Sequence, residues 1–149
     1  MMAKTLQELI KQSKFESPQQ KAYINMYYTY YHFHNLHSKL LKPYGILPQH
    51  YNILKIVKGR YPEPVTPGHI LDVMLDKKRD LTRLVDKLVS MKLLERCQSK
   101  DNKRFVHISL TQKGYDLTVK MENELKSFIQ HNLNDEESEL LSKLLDKMR

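Results

Sequence analysis

The chain has 149 residues, 40% hydrophobic and 28% charged, and its formal net charge is +8 at pH 7. This size and composition are typical of one folded domain and exclude an intrinsically disordered chain. Its single cysteine, Cys97, excludes an intramolecular disulfide and a multi-thiolate zinc site. No apolar run approaches the roughly 20 residues that a membrane-spanning helix needs, and residues 1–10 lack the apolar centre of a secretory signal. We therefore expect a cytoplasmic protein with no membrane partner.

The positive charge is concentrated in the middle of the chain. Residues 51–113 carry 14 Lys and Arg against 7 Asp and Glu, whereas residues 114–149 carry 5 against 8. A polyanion is the obvious partner for such a segment, because each cation that neutralises a phosphate releases a condensed counterion. On charge alone, a solvated basic face is an equally good interpretation.

The N-terminal third of the chain has the apolar spacing of helices. A short amphipathic segment at residues 6–10 comes first. Ser17-Pro18 then places a capping residue before a proline at the first helical position. The spacing predicts a long helix from there to about residue 42, which Pro43 and Gly45 end.

Two shorter helices are predicted next. Pro48 opens a helix that stops at Gly59, before a proline-rich loop. Thr66-Pro67 repeats the signal of a cap followed by proline, and we expect the apolar run Ile70–Leu75 to pack on the core.

A helix with opposite chemistry on its two sides is predicted between Asp76 and Lys92. Its apolar stripe consists of Leu81, Leu84, Val85, Leu88 and Met91. Cationic and polar residues crowd its start and outer face, and they are the candidate DNA-binding residues: Lys77, Lys78, Arg79, Thr82, Arg83 and Lys87. An α-helix is about 10–12 Å wide with its side chains, so it fits the major groove of B-DNA and reads bases through side chains near its N-terminal end. Either Asp76 or Asp80 is expected to cap it.

The period of the pattern changes after this helix. Residues 106–110 have the alternation of a half-buried strand, and residues 94–98 are its expected partner. The polar segment between them is a hairpin tip rich in turn formers and cations. Two of those cations, Lys103 and Arg104, are placed to reach the minor groove and its phosphates. This is the pattern of a wing.

Two helices complete the chain. Thr111 is expected to cap the first, and Asn134 with Glu137 forms the start of a capping box for the second. Their apolar faces would be exposed on an isolated chain, which favours burial against other helices.

Three ordered motifs are similar to those of the MarR family of transcriptional regulators. They are the run Thr82-Arg83-Leu-Val-Asp86, then Leu94-Glu95-Arg96 before the wing, and Leu110-Thr111-x-Lys113-Gly114 after it. The stretch from Tyr44 to Leu54 also resembles the family, and the match covers roughly residues 20–149.

The resemblance implies an α+β, mostly α fold, a winged helix-turn-helix with N- and C-terminal dimerisation helices. Residues 44–113 would form the DNA-binding lobe, and residues 1–43 and 114–149 the dimerisation lobe. A homodimer would bind double-stranded DNA at a palindromic operator and most simply repress transcription, without catalysis or a cofactor. The candidates for base-edge contact are Lys78, Arg79 and Thr82, and Arg83 and Lys87 are candidates for phosphate contact or for positioning.

The sequence departs from the family pattern at three places. Lys92 stands where the family usually has glycine, so the turn there is open to a different geometry. In the wing the acidic residue, Asp101, lies one position early for the family's pairing with arginine, which is Arg104 here. Arg79 replaces a small residue, so base preference cannot be transferred from relatives.

Family members often bind small phenolic or aromatic effectors near their dimerisation helices. The side chains that such a cleft would use here are Tyr27, Tyr30, His34 and Tyr51, although aromatic residues at helical spacing usually form core or interface. Cys97 would be either an oxidant sensor or inert packing. His32, His34 and His37 favour a polar patch over a metal site. The main alternative function is a protein-interaction module that keeps the winged-helix scaffold without DNA readout, and a small-molecule or metal-binding enzyme is a distant third.

Overall fold

The computed structural model describes residues 4–77, 80–98, 106–129 and 132–149. Two compact units make up the chain, one ending at Pro48 and the other beginning at Gln49. The described elements are α1 (Leu6–Ile10), α2 (Pro18–Leu41), α3 (Pro48–Lys58), α4 (Pro67–Val73), α5 (Leu81–Ser90), β1 (Leu94–Gln98), β2 (Val106–Leu110), α6 (Gln112–Ile129) and α7 (Asp135–Met148). The predicted fold class, a mostly helical chain with a two-stranded wing, is confirmed.

The first unit is built on the long helix α2. Ser17 is in an extended conformation and its side chain accepts a hydrogen bond from the Gln20 amide at 3.1 Å, while Pro18 is the first helical residue. At the other end the chain tightens into a 3-10 turn, Lys42–Tyr44, and reverses at Gly45, whose φ is 69°. A left-handed φ of this kind favours glycine because it has no Cβ. The predicted start and end of the helix are therefore confirmed.

The second unit packs α3, α4, α5 and the wing around one apolar core. Its completely covered side chains come from each of these elements, and include Ile53, Leu54, Ile70, Leu88, Leu93, Leu94 and Ile108. β1 and β2 pair antiparallel with Leu94 opposite Leu110, which confirms the predicted hairpin. Val65 adds a short bridge to Ile108 through two backbone hydrogen bonds of 2.8 and 2.9 Å. This bridge fixes the proline-rich loop to the wing.

α4 and the two residues after it depart from the prediction of a fully packed apolar run. Ile70 and Met74 are buried, but Leu71 and Val73 are partly exposed and Leu75 is 89% exposed. The helix ends at Val73, so its seven residues give only two turns and one inward face. Leu75 lies beyond the end of the helix and therefore outside the stripe that packs.

Two helices follow the wing. α6 buries Thr118, Met121 and Leu125 on one face, and the Thr118 hydroxyl donates to the Gly114 carbonyl at 2.7 Å. α7 begins with the predicted capping box, in which Asn134 and Glu137 exchange two hydrogen bonds of 2.9 Å. No helix in the described ranges is long and apolar enough to cross a membrane.

Candidate nucleic-acid interface

The two sides of α5 differ sharply in burial. Leu81, Val85 and Leu88 are buried, whereas Thr82, Arg83 and Lys87 are exposed. Positions 82, 83 and 87 share one face of a helix with 3.6 residues per turn, so the three polar side chains are presented together. α5 therefore offers one continuous hydrophilic surface, as its sequence predicts.

The start of α5 is set by Asp80. This residue is extended and its carboxylate accepts a hydrogen bond from the Arg83 amide at 3.2 Å, which identifies it as the cap. The helix begins at Leu81, later than the sequence pattern predicted. Lys77 consequently lies in the turn before the helix and is exposed there. Lys78 and Arg79 lie outside the described residues.

The end of α5 has the hydrogen-bond pattern of a Schellman motif. The Lys92 amide donates to Val89 O at 2.9 Å and the Leu93 amide to Leu88 O at 3.0 Å. This motif needs a left-handed residue after the helix, and Lys92 supplies it with a φ of 58°. The turn thus has the geometry that glycine favours, although a lysine occupies it.

An ion pair connects the wing to α5. The Arg96 guanidinium on β1 lies 2.6 Å from the Asp86 carboxylate on α5, with both groups partly exposed. Both residues belong to the motifs identified in the sequence, yet their pairing depends on the three-dimensional packing of the strand against the helix. Three candidate wing residues, Asp101, Lys103 and Arg104, lie outside the described residues.

Side chains of α3 support the turn between α4 and α5. The Asn52 side-chain oxygen accepts a hydrogen bond from the Leu75 amide at 3.0 Å. Beside it along α3, His50 is buried, and burial together with the positive charge of Lys87 lowers the pKa of its imidazole. Both residues lie in the stretch Tyr44–Leu54 that resembles the family, but the sequence assigned neither a role, because neither belongs to a charged or periodic pattern.

A second ion-pair cluster joins α3 to α6. The Glu122 carboxylate pairs with Lys55 and with Lys58, the latter at 3.0 Å. Partial burial raises the pKa of Glu122, but the two ammonium groups outweigh it and hold that pKa below its usual value. Burial and the negative charge of Glu122 raise the pKa of Tyr51 to about 12, so this phenol stays neutral.

The remaining candidate residues lie on α2, α3 and β1. On α2, Tyr27 and Tyr30 are about half exposed, and the Tyr30 ring lies 5.7 Å from that of His34. Tyr51 is half-buried on α3. Cys97 on β1 is half-buried, with its Sγ 3.5 Å from the Ser109 hydroxyl. Among the described residues, no three His, Cys, Asp or Glu side chains are close enough to hold a metal ion.

Comparisons with known proteins match the fold rather than the sequence. No protein-family model matches the chain, and no curated protein matches it significantly. Solved structures do match. A MarR transcription factor from Planctomyces limnophilus has 26% identity and a TM-score of 0.68, covering 91% of this chain and 98% of that one. The organohalide-sensing regulator RdhR, bound to 2,4-dichlorophenol, has 18% identity and a TM-score of 0.74, with coverages of 93% and 85%. The S. aureus MepR–DNA complex has 20% identity and a TM-score of 0.69, with coverages of 85% and 95%.

Three helices, α3 to α5, of which α4 and α5 form a helix-turn-helix, are followed by the β1–β2 hairpin. This order of elements defines a winged-helix protein. The matches specify the class further, because they span nearly the whole of this chain and of each solved structure. The chain has the fold of the MarR-type transcriptional regulators, as its three sequence motifs predicted.

Proposed function

We propose that this protein is a sequence-specific DNA-binding regulator of transcription. The observation that carries the proposal is the hydrophilic face of α5, where Thr82, Arg83 and Lys87 are exposed opposite a buried apolar face. A helix supported in this way can enter the major groove without exposing its own core contacts. The fold it shares with a MepR structure solved with DNA, together with the basic middle of the chain, supports the same conclusion.

Each exposed residue has a role within this proposal. Thr82 lies in the first turn of α5 and contacts a base edge, while Arg83 and Lys87 bind phosphates. Lys78 and Arg79, which come just before the helix in the sequence, contact base edges as well, and Lys77 adds to the basic surface. In the wing, Lys103 and Arg104 reach the minor groove, and Asp101 supports the tip.

The proposal includes a homodimer that binds a palindromic operator. Along α7, Leu140, Leu141, Leu144 and Met148 are each between 44% and 58% exposed. A row of large apolar side chains at helical spacing is costly in water, and a second copy of the same chain would cover it. Two copies related by a two-fold axis then read two half-sites, and binding over a promoter would repress transcription.

A small aromatic effector would regulate such a repressor. The RdhR structure contains a chlorinated phenol, and this chain carries Tyr27, Tyr30 and His34 on α2 and Tyr51 on α3. Aromatic rings and polar tips of this kind suit a phenolic ligand. An effector that prefers a dimer with unsuitable half-site spacing would weaken DNA binding by linkage.

Selection of random duplex DNA on the purified protein tests the central proposal. We expect an enriched palindrome that binds roughly 10³-fold or more tightly than a scrambled duplex, with an affinity that falls steeply with salt. Equal binding to both duplexes would reject sequence-specific readout and favour the interaction-module alternative. Enrichment of a single, non-repeated half-site would reject the palindrome.

A further inference from the structure

The residue before α6 bonds in two directions at once. The Thr111 hydroxyl accepts a hydrogen bond from the Gly114 amide at 2.9 Å, which caps α6. The single proton of this hydroxyl is shared between the carbonyl oxygens of Lys92 and Leu93, which lie 2.8 and 3.1 Å away. These two residues form the turn that ends α5 and begins β1. One side chain therefore connects the start of α6 to the end of α5.

The backbones approach very closely at this junction. A Cβ on Gly114 would lie 2.0 Å from the Leu93 carbonyl oxygen, so any other residue there would force one backbone to move. Beside it, the Lys113 ammonium donates to the Met91 carbonyl at 3.0 Å. Contact of one backbone with another cannot be relieved by a change of side-chain rotamer. The junction consequently allows the end of α5 little freedom relative to α6.

α6 is itself anchored on α3 and on the loop that follows it. The ion pairs of Glu122 with Lys55 and Lys58 join the third turn of α6 to α3. The Tyr115 ring stacks on Tyr61 with centroids 4.7 Å apart, and the Lys58 ammonium lies 5.6 Å from the Tyr115 centroid. The part of α6 from Tyr115 to Glu122 is thus held against the rest of the second unit.

We propose that Thr111 is a positioning residue that sets the orientation of α5, and hence the sequence selectivity of the protein, without contacting DNA. This inference rests on the proposed function. α5 has 10 residues and is about 15 Å long at 1.5 Å per residue. A tilt of about 5° at its fixed end moves its N-terminal turn by about 1 Å, which is enough to break a well-aligned hydrogen bond to a base. Long cationic side chains tolerate such a shift when they contact phosphates, because their contacts are less directional.

The test compares Thr111→Val with Thr111→Ser on the full-length protein. Affinity is measured for the selected operator and for a scrambled duplex. Valine has nearly the shape of threonine but no hydroxyl, and we expect it to lower the ratio of the two affinities about tenfold, the scale of one good base contact. Serine keeps the hydroxyl and should keep the ratio. Affinity for the scrambled duplex should be the same in all three proteins.

Lys113→Gln provides a second variant, because it removes the exposed ammonium group that bonds the Met91 carbonyl. We expect a smaller fall in the same ratio and an unchanged dependence of affinity on salt. If Lys113 contacted a phosphate, its removal would instead reduce the slope of log affinity against log salt concentration by about one. Lys126→Gln is the matched control, since Lys126 is an exposed lysine in the last turn of the same helix.

Thermal unfolding of each variant separates positioning from stability. A Thr111→Val protein with a lower Tm but an unchanged affinity ratio would overturn the inference, and so would a serine variant that behaves like valine. If the unmodified protein binds both duplexes equally, the proposed function itself fails. A selective wild type with an unaffected valine variant refutes only the role of Thr111.

Discussion

Lys92 has a backbone conformation that its side chain does not favour. Its φ of 58° is left-handed, and for residues other than glycine this conformation costs on the order of 1 kcal/mol or more. The cost is tolerated because the Schellman bonds of Lys92 and Leu93 close the end of α5. The turn is thus dictated by the helix ending and not by the residue that occupies it.

Lys92→Gly should therefore stabilise the protein. We expect the free energy of unfolding to rise by about 1 kcal/mol, because relief of the left-handed strain exceeds the extra entropy of glycine in the unfolded chain. Urea unfolding at a fixed protein concentration measures this change. Lys126→Gly is the control: Lys126 is helical, so glycine there should lower the free energy of unfolding by about 0.5–1 kcal/mol. A destabilised Lys92→Gly protein would contradict the strain argument.

Some residue roles could be predicted from the sequence and others could not. Thr111 and Asn134 were predicted as helix caps, and Asp80 as one of two candidates, because capping depends on the residue and its next three neighbours. Asp86 and Arg96 were recognised only as motif members, since their ion pair requires β1 to be packed beside α5. A helix cap can be predicted from one short segment, whereas an ion pair between two segments depends on how the fold brings them together.

At the scale of elements, the histidine on α3 that is affected by a lysine on α5 should respond to pH. His50 on α3 is buried, and burial with the charge of Lys87 on α5 lowers its pKa below the usual 6.5. The folded protein thus binds a proton at His50 less readily than the unfolded chain does. Stability from this group is complete above the unfolded pKa of about 6.5 and is lost as the pH falls through the lower folded value.

We therefore expect the free energy of unfolding to fall between pH 7.5 and pH 5, and to fall less in His50→Gln. Glutamine is polar but does not titrate, so it removes the contribution of this imidazole. Denaturant unfolding at several pH values measures the slope. Burial and His34 also lower the pKa of His37 on α2, so a residual slope should remain in the variant. Identical slopes for wild type and His50→Gln would show that His50 does not contribute.

The elements themselves were predictable to different degrees. β2 and the long helices follow from periods of two and 3.6, which repeat over several residues, whereas β1 was predicted as the partner of β2 across a polar turn. The bridge between Val65 and Ile108 was missed because a single paired residue after two prolines carries no period. The exposure of Leu75 was missed because α4 is two turns long, and hydrophobicity alone does not show where a short helix ends.

At the scale of the whole molecule, the main question is what covers the exposed leucines of α7. Leu144→Glu should convert the proposed dimer to a monomer, because a carboxylate at the centre of an apolar contact would lose its hydration without gaining a partner. Sedimentation velocity measures the mass, and operator affinity should fall in parallel as each half-site is bound alone.

Ser142→Glu is the matched control for this variant. It introduces the same acidic side chain two residues away, on nearly the opposite side of α7, where the polar side chain is already exposed. It should remain dimeric and bind the operator normally. If Leu144→Glu keeps the wild-type mass, the α7 face is not the interface, and a monomeric wild type would refute the homodimer.

The wing hairpin is closed at its base by bonds that do not involve its tip. Leu94 pairs with Leu110, and Thr111 bonds the Leu93 carbonyl through both its amide and its hydroxyl. The ends of the hairpin are therefore held together whatever the length of the segment between the strands. Insertions or deletions between residues 98 and 106 would change the length of the hairpin while leaving the relative position of α5 and α6 unchanged. In such an architecture, the reach of the wing and the angle of α5 can evolve independently.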